Sequence, residues 1–325
     1  MANYLLTGAA GFIGSRVADL LMQADHQVYG LDNLNQTYDV RMKQYRLKRL
    51  LEAPSFHFLQ DDISDKSVLE RLADSVPQLE AVINLAAIAG VRASTKDPWS
   101  YLNTNTLGTL NTLEFCARQG IRKYILASTS SLYGNEGTPP HSETASTDHP
   151  LAPYAASKKG AEAFGYAYHH LYGIDITVLR YFTVYGPAGR PDMVMFRFCQ
   201  WIAEGRPVLV TGDGEQSRGF TYVDDIARGT LLALQPVGYD VFNLGGHEVI
   251  TMNQVITMLE KRLGKKAQVE YIPMHPADVL ANVADVTKAR QVLGWKPQVN
   301  LEQGVDALVS WYLQERDWVK DIATP

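Results

Sequence analysis

The chain contains little cysteine, little uninterrupted apolar sequence and no surplus of positive charge. Its 2 cysteines in 325 residues, Cys116 and Cys199, are too few for a disulfide framework and lack zinc-ligand spacing. The 8 histidines show no ligand spacing either, so we expect no metal. No apolar run approaches the roughly 18 residues that span a bilayer, and the amino terminus has no basic segment. We therefore expect no membrane association, no signal peptide and a cytoplasmic location.

The charge balance excludes another class of partners. With 30 Lys and Arg against 35 Asp and Glu, the formal net charge is -5. This leaves no basic surplus to neutralise a phosphate backbone, so we expect no nucleic-acid partner. The composition, 46% hydrophobic and 20% charged, is typical of a folded globular protein, and the length allows about two domains.

Short apolar runs alternate with longer segments of helical period through the first half of the chain. This alternation indicates βαβ units, and it predicts an α/β fold with a doubly wound parallel sheet. The predicted strands are Tyr4–Thr7, Gln27–Leu31, Ser55–Leu59, Ala81–Asn84, Tyr124–Ala127 and Ile176–Leu179.

The rhythm changes after Arg180, where glycines and prolines interrupt a series of shorter elements. We expect residues 1–182 to form a nucleotide-binding domain, to which residues 221–246 return. Residues 183–220 and 247–325 then form a smaller substrate-binding domain.

Gly8, Gly11 and Gly14 form a G-x-x-G-x-x-G motif between the first strand and the first helix. Glycine lets this turn close and lets the backbone approach a pyrophosphate at the helix amino end. Glycines also occur at turns for structural reasons alone, so the motif depends on its context.

Asp32 supplies that context, because it ends the second strand 18 residues after Gly14. A carboxylate at this position accepts hydrogen bonds from both ribose hydroxyls and repels a 2'-phosphate. No basic residue follows it before Arg41, so we predict NAD rather than NADP. Asp62 and Ile63 follow the third strand, where they either hold the adenine edge or form an ordinary solvated loop.

Tyr154 and Lys158 are one helical turn apart, directly after Pro153 at a predicted helix start. A nearby ammonium lowers the pKa of a phenol toward neutrality, which makes the phenol a base for a hydroxyl proton. Chance alone gives roughly one such pair in a chain of this composition. The hydroxyl run 128–131 strengthens the signal, because it follows a strand whose carboxyl end faces the ligand side of the sheet.

These motifs, with the segment Asn105–Asn111, resemble the extended short-chain dehydrogenase/reductases over nearly the whole chain. Within that family the sequence is most similar to UDP-glucuronate 4-epimerases. The resemblance implies a Rossmann-type sheet, a smaller α/β substrate-binding domain and NAD-dependent C4 epimerisation of a UDP-sugar through a 4-keto intermediate. The segments that carry it are Leu31–Leu50, Ala86–Ser94, Arg180–Met193, Ser217–Asp225 and Ala284–Pro297.

The resemblance also implies roles for individual residues. It makes Thr129, Tyr154 and Lys158 the catalytic triad, and it assigns Arg218 to the substrate diphosphate. The cofactor positions are Gly8, Gly11, Phe12, Ile13, Gly14, Asp32, Asn33, Asp62, Ile63, Leu85, Ala86, Ala87, Asn105, Tyr154 and Lys158. The substrate positions are Arg92, Thr129, Ser130, Ser131, Thr183, Arg190, Arg218 and Asp278.

The chain departs from the family pattern at three positions. Asn84 replaces a common histidine, Ile88 replaces a usual glutamine, and Ala277 replaces the glycine of Pro-Gly-Asp. None of these changes removes a member of the triad.

Three alternatives stay open. Decarboxylases and dehydratases of this family carry one or two carboxylates after the catalytic threonine, where this chain has Ser130 and Ser131. UDP-glucose 4-epimerases usually carry an asparagine where this chain has Thr183. A nucleotide-binding scaffold without chemistry is disfavoured by the intact triad. The resemblance further implies a homodimer through helices near residues 104–118 and 154–172.

Overall fold

A computed structural model describes residues 1–135, 138–246, 248–274 and 281–325 of the chain. Within these ranges seven strands form one parallel sheet, in the order β10-β6-β5-β4-β1-β2-β3. The strands are β1 (Asn3–Thr7), β2 (Gln27–Leu31), β3 (Phe56–Leu59), β4 (Ala81–Asn84), β5 (Lys123–Thr129), β6 (Asp175–Tyr181), β7 (Thr183–Tyr185), β8 (Pro207–Thr211), β9 (Ser217–Tyr222), β10 (Tyr239–Leu244), β11 (Glu248–Thr251), β12 (Gln268–Ile272) and β13 (Ala281–Asn282).

Helices cover both faces of this sheet, and the doubly wound α/β prediction is confirmed. A π-helical turn (Leu102–Leu107) precedes α6, and a 3-10 segment (Ser130–Tyr133) follows β5. The α-helices are α1 (Phe12–Gln23), α2 (Arg41–Leu50), α3 (Lys66–Ser75), α4 (Val91–Ser94), α5 (Pro98–Tyr101), α6 (Gly108–Gln119), α7 (Pro153–Tyr172), α8 (Val194–Ala203), α9 (Val223–Leu232), α10 (Met252–Leu263), α11 (Thr287–Val292), α12 (Leu301–Gln314) and α13 (Arg316–Val319).

The six strands predicted in the first half all form, with ends that differ by at most two residues from the sequence prediction. They are continuous apolar runs because a parallel sheet is buried on both faces. β5 and β6 differ most, since β5 extends through Thr129 and β6 through Tyr181, where the two strands pair residue by residue. The hydroxyl run therefore begins inside the strand rather than after it.

The chain returns to this sheet late in the sequence. β10 pairs with β6 at its edge, and α9 packs against α1. The remaining elements form a β11-β9-β13 sheet, to which β7 adds, and a separate β8-β12 pair. A second apolar core, which includes Phe196, Phe220 and Tyr312, lies among α8, α10, α12 and β9. None of the helices in the described ranges combines the length and apolar character needed to span a bilayer.

Candidate active site

The three predicted catalytic residues meet where β5 ends beside the start of α7. Thr129 is the last residue of β5, and its hydroxyl forms a hydrogen bond with the Tyr154 phenol. Pro153 begins α7, as the sequence predicts, so Tyr154 lies in its first turn. Lys158 follows one turn later, is 3% exposed, and donates from Nζ to the Ala127 carbonyl at 2.9 Å.

Burial dominates the protonation of both titratable groups. It raises the pKa of Tyr154, against the lowering effects of the Thr129 hydrogen bond and the Arg190 guanidinium. It also lowers the pKa of Lys158 to about 8, against the opposing effect of the Glu162 carboxylate. The expectation that Lys158 lowers the phenol pKa stays a prediction. The Lys158 ammonium is directed at a backbone carbonyl of β5, and Arg190 is the cation that lowers the phenol pKa.

A buried ion pair lies behind Lys158. The Arg180 guanidinium donates to both oxygens of Glu162, at 3.0 and 2.8 Å, and both side chains are almost completely buried. The Ser128 hydroxyl donates to the same carboxylate at 2.6 Å. Glu162 therefore ties α7 to β6 through Arg180 and to β5 through Ser128, which supports the positions of Thr129 and Lys158.

The glycine loop is packed so closely that side chains cannot replace its glycines. A Cβ on Gly8, whose φ is +70°, lies 2.8 Å from the backbone nitrogen of Ala86. A Cβ on Gly14 lies 2.1 Å from the Gly8 carbonyl oxygen. Gly11 precedes α1 and has no side chain to cap the helix. The first-turn amides, including those of Phe12 and Ile13, therefore have no capping side chain as a hydrogen-bond acceptor. Amides of this kind suit a pyrophosphate, so the loop fits the predicted dinucleotide.

Asp32 lies beside this loop, at the end of β2, and is 5% exposed. It accepts hydrogen bonds from the backbone amides of Ala10 (3.2 Å) and Leu34 (2.8 Å). Lys43 Nζ also lies 3.0 Å from Asp32 Oδ1, which the sequence analysis missed. No basic residue lies between Asp32 and Arg41 in the sequence, but α2 brings Lys43 back to the carboxylate.

The residues assigned to the adenine side form one connected group. Asn33 donates to Asp62 at 2.7 Å, and the amide and hydroxyl of Ser64 both donate to the same carboxylate at 2.8 Å. Asn111 donates to the carbonyl of buried Ile63 at 2.9 Å. Asp62 is thus held by its neighbours, in contrast to an ordinary solvated loop acid.

Residues 85–87 follow β4 and join the cofactor side of the site to α7. The Ala86 amide donates to the Thr7 hydroxyl at 3.1 Å. Asn105 makes paired hydrogen bonds with the backbone of Ile88, both at 2.9 Å, and a further one to the Ser157 hydroxyl at 2.9 Å. Asn105 therefore connects Ile88, directly after this segment, to α7, the helix that carries Tyr154.

Asn84, one of the departures from the family pattern, occupies a buried polar network. It accepts from the Thr7 hydroxyl at 2.6 Å and donates to Thr109 (3.1 Å) and to the Tyr124 phenol (2.8 Å). Since these partners satisfy its amide, Asn84 is compatible with the buried position that it occupies.

Ser130 and Ser131 line a cavity of about 60 Å³, together with His141 and Asn282. Asn282 Nδ2 donates to Ser130 Oγ at 2.8 Å, and the Thr129 hydroxyl donates to Ser131 Oγ at 3.2 Å. His141 is 4% exposed, burial lowers its pKa, and its Nδ1 has no hydrogen-bond partner among the described residues. The cavity wall is therefore polar and uncharged on the side of the two serines.

Thr183 and Arg190 line a second cavity. Arg190 pairs with Asp192 at 2.5 Å and donates to the Ala89 carbonyl at 3.3 Å. Its guanidinium is close enough to lower the pKa of Tyr154, which places positive charge beside the candidate base. The structure thus associates Arg190 with the triad.

The other substrate positions are distributed differently. Arg218 lies in β9 and is the register partner of Asn282, so it is one strand away from the Ser130 cavity. Arg92 is exposed in α4. Asp278 and the departure Ala277 lie outside the described residues. No group of three or more potential metal ligands occurs in the part of the chain that the structure describes.

Sequence reasoning missed Lys43, His141 and Asn282. Lys43 had one available signal, because it shares a face of α2 with the buried Met42 and Leu47. Asn282 had no local signal, since the pairing of β13 with β9 brings it to the site from a distant part of the chain.

Comparisons with known proteins find relatives that match nearly the whole chain. The family model described as GDP-mannose 4,6 dehydratase matches residues 5–308. A UDP-glucuronate 4-epimerase from Thermodesulfobacterium geofontis is 50% identical over 323 residues, which cover 99% of each chain. The crystal structure of UDP-glucuronic acid 4-epimerase from Bacillus cereus, in complex with UDP-glucuronic acid and NAD, matches with a TM-score of 0.90 and 37% identity, covering 96% of this chain and 99% of that one. A UDP-glucose 4-epimerase from Thermotoga maritima, with UDP-glucose, matches with a TM-score of 0.89 and 35% identity, covering 97% and 99%.

Proposed function

This chain belongs to the GDP-mannose 4,6 dehydratase family, among the extended short-chain dehydrogenase/reductases, and we propose that it is an NAD-dependent UDP-glucuronate 4-epimerase. The observation that carries the proposal is the pairing of an intact triad with a cavity lined by Ser130 and Ser131. Hydroxyls donate to a sugar carboxylate but cannot supply the carboxylate acid-base chemistry of a dehydratase.

Each residue of the triad has a defined task in this reaction. Bound NAD would supply the acceptor and the donor of the hydride at sugar C4. Tyr154 removes the O4 proton as C4 is oxidised and returns it when C4 is reduced. Thr129, which already bonds the phenol, also orients O4. The 4-keto sugar turns over between the two steps and presents its opposite face, so no net oxidation results.

The serines have a second task, because a C4 ketone makes the substrate a β-keto acid. Such an acid loses CO2 when its C5 to carboxylate bond aligns with the carbonyl π system. Ser130, Ser131 and Thr183, with Thr129, form our proposed clamp that holds the carboxylate out of alignment. The hydrogen bond from Asn282 supports this task, because it uses the Ser130 oxygen as an acceptor and leaves that hydroxyl to donate elsewhere.

We assign the two ligands to different parts of the chain. Residues 1–182 and 221–246 hold NAD, and this division is supported by the pairing of β10 with β6. Residues 183–220 and 247–325 hold the sugar nucleotide, with Arg218 at its diphosphate, because a guanidinium binds phosphate through two parallel hydrogen bonds. Arg92, Arg190 and Asp278 complete the proposed substrate positions.

A panel of UDP-sugars tests the proposal. Chromatography of the products should show UDP-galacturonate formed from UDP-glucuronate with little CO2. UDP-glucose should react with a kcat/KM at least about tenfold lower, because it leaves the clamp hydroxyls without their carboxylate. Conversion of UDP-glucose alone would favour UDP-glucose 4-epimerase, and a pentose as the main product would favour the decarboxylase.

We also propose a cytoplasmic homodimer that forms through residues 104–118 and 154–172. Apolar side chains support that interface, since Leu107, Phe164 and Leu171 are 41%, 37% and 68% exposed. The two free, buried cysteines support the location. Light scattering after size exclusion should give a dimer, and Leu171→Glu should shift it toward monomer.

A further inference from the structure

Arg46 is a buried cation that touches both sides of the candidate active site. It lies in α2 and is 4% exposed, and among the described residues no carboxylate forms an ion pair with it. Its guanidinium instead donates to three backbone carbonyls and to one phenol. Burying a cation costs free energy unless hydrogen bonds satisfy its donors. These four hydrogen bonds therefore fix the position of the Arg46 guanidinium.

The first contact is with the glycine loop. Arg46 Nη1 donates to the Ala10 carbonyl at 3.2 Å, and its guanidinium lies 5.8 Å from the centre of the Phe12 ring. Ala10 and Phe12 flank Gly11 at the amino end of α1. Arg46 therefore adds positive charge to the loop that fits the pyrophosphate.

The second contact is with the loop from Gly186 to Arg190. Arg46 Nε donates to the Ala188 carbonyl at 2.9 Å, and Nη2 donates to the Gly189 carbonyl at 3.1 Å. Ala188 has a φ of +54° and Gly186 a φ of +149°. Because a positive φ is unfavourable for alanine, the conformation of this loop depends on hydrogen bonds such as those from Arg46. Arg190, which lowers the pKa of the candidate base, follows immediately.

Tyr38 holds the guanidinium between these two loops. Its hydroxyl accepts from Arg46 Nη1 at 2.9 Å, and its ring lies 5.6 Å from the guanidinium carbon. With these contacts, the planar Arg46 guanidinium connects the glycine loop, on the cofactor side, to the loop from Gly186 to Arg190, on the substrate side. A lysine could keep the charge but could not reach three carbonyls at once.

We propose that Arg46 is a positioning residue that couples the two ligand sites, so that NAD and the uridine nucleotide strengthen each other's binding. The inference rests on the proposed function for the identity of the two ligands. Coupling between binding sites is reciprocal, so it is measurable from either side. Each ligand stabilises its own loop, and Arg46 transmits that order to the other loop.

Equilibrium dialysis of the purified holoenzyme tests this inference. The NAD dissociation constant is measured with and without saturating UDP, and the ratio of the two values gives the coupling. We expect UDP to tighten NAD binding about fivefold or more in the wild type. Arg46→Met and Arg46→Lys should both reduce the ratio to about one, while Arg46→Lys binds NAD more tightly than Arg46→Met because it keeps the charge.

Lys48→Met is the matched control, because it removes an exposed cation from the same helix and should keep the wild-type ratio. The ratio is taken within one variant, so a general loss of stability does not change it, and Arg46→Lys serves if Arg46→Met does not fold. A wild-type ratio of one, or an unchanged ratio in Arg46→Lys, overturns the inference. Product analysis with UDP-glucuronate is run in parallel, so failure of the proposed activity appears separately from failure of the coupling.

Discussion

Replacing Ser130 with alanine should change which product the enzyme makes. In the proposed clamp, the Ser130 hydroxyl donates to the substrate carboxylate, and a hydrogen bond to a charged group contributes about 1.5 to 3 kcal/mol. If the conformation that restrains the carboxylate loses this stabilisation, the ratio of decarboxylated to epimerised product rises by about 10- to 150-fold. Asn282→Ala removes only the neutral hydrogen bond that orients Ser130, which contributes about 0.5 to 1.5 kcal/mol. The expected increase for Asn282→Ala is therefore about 2- to 12-fold.

The assay incubates each variant with UDP-glucuronate and separates UDP-galacturonate from the UDP-4-keto-pentose, while released CO2 is measured independently. Thr183→Ala and Ser131→Ala test the other members of the clamp in the same way. Ser146→Ala is the matched control, since that serine is exposed and bonds Asp148. If Ser130→Ala slows turnover but keeps the wild-type product ratio, the clamp is wrong.

Three further results are expected. Tyr154→Phe keeps the ring but removes the proton acceptor, so turnover should fall by about 10²-fold or more. The circular dichroism spectrum should stay unchanged, and near-normal turnover would exclude Tyr154 as the base. Lys158 has a pKa of about 8, so it is about 90% cationic at pH 7 and about 10% at pH 9. Because the cation supports loss of the phenol proton, wild-type turnover should decline above about pH 8, and a pH profile of Lys158→Met should lack that decline. Acid extraction of the wild type should release NAD, and extraction of mainly NADP would contradict the role of Asp32. Asp32→Ala should shift the relative affinity of the enzyme toward NADP, because it leaves the Lys43 ammonium beside the ribose position without its carboxylate.

The sequence predicted the central sheet because its strands are buried on both faces and their apolar character does not depend on distant residues. The end of β5 was placed too early, because Ser128 and Thr129 are polar residues in a strand. Only the partner β6, which extends to Tyr181, shows that they pair.

Within the site, short motifs carry geometry that the sequence predicts, while the roles of the residues stay predictions. The one-turn spacing of Tyr154 and Lys158 is local, and so is the glycine loop. Sequence reasoning did not predict the long-range contacts of the site. The Arg190 guanidinium acts to lower the pKa of Tyr154 against the effect of burial, and Lys43 of α2 pairs with Asp32.

The most direct test of the central claim uses UDP-glucuronate labelled with deuterium at C4. Removal and return of a hydride within one active site predicts UDP-galacturonate that keeps the deuterium at C4, even after many turnovers in ordinary water. Mass spectrometry and proton NMR of the isolated product measure this directly. Loss of the label to solvent, or the absence of UDP-galacturonate among the products, would contradict the account.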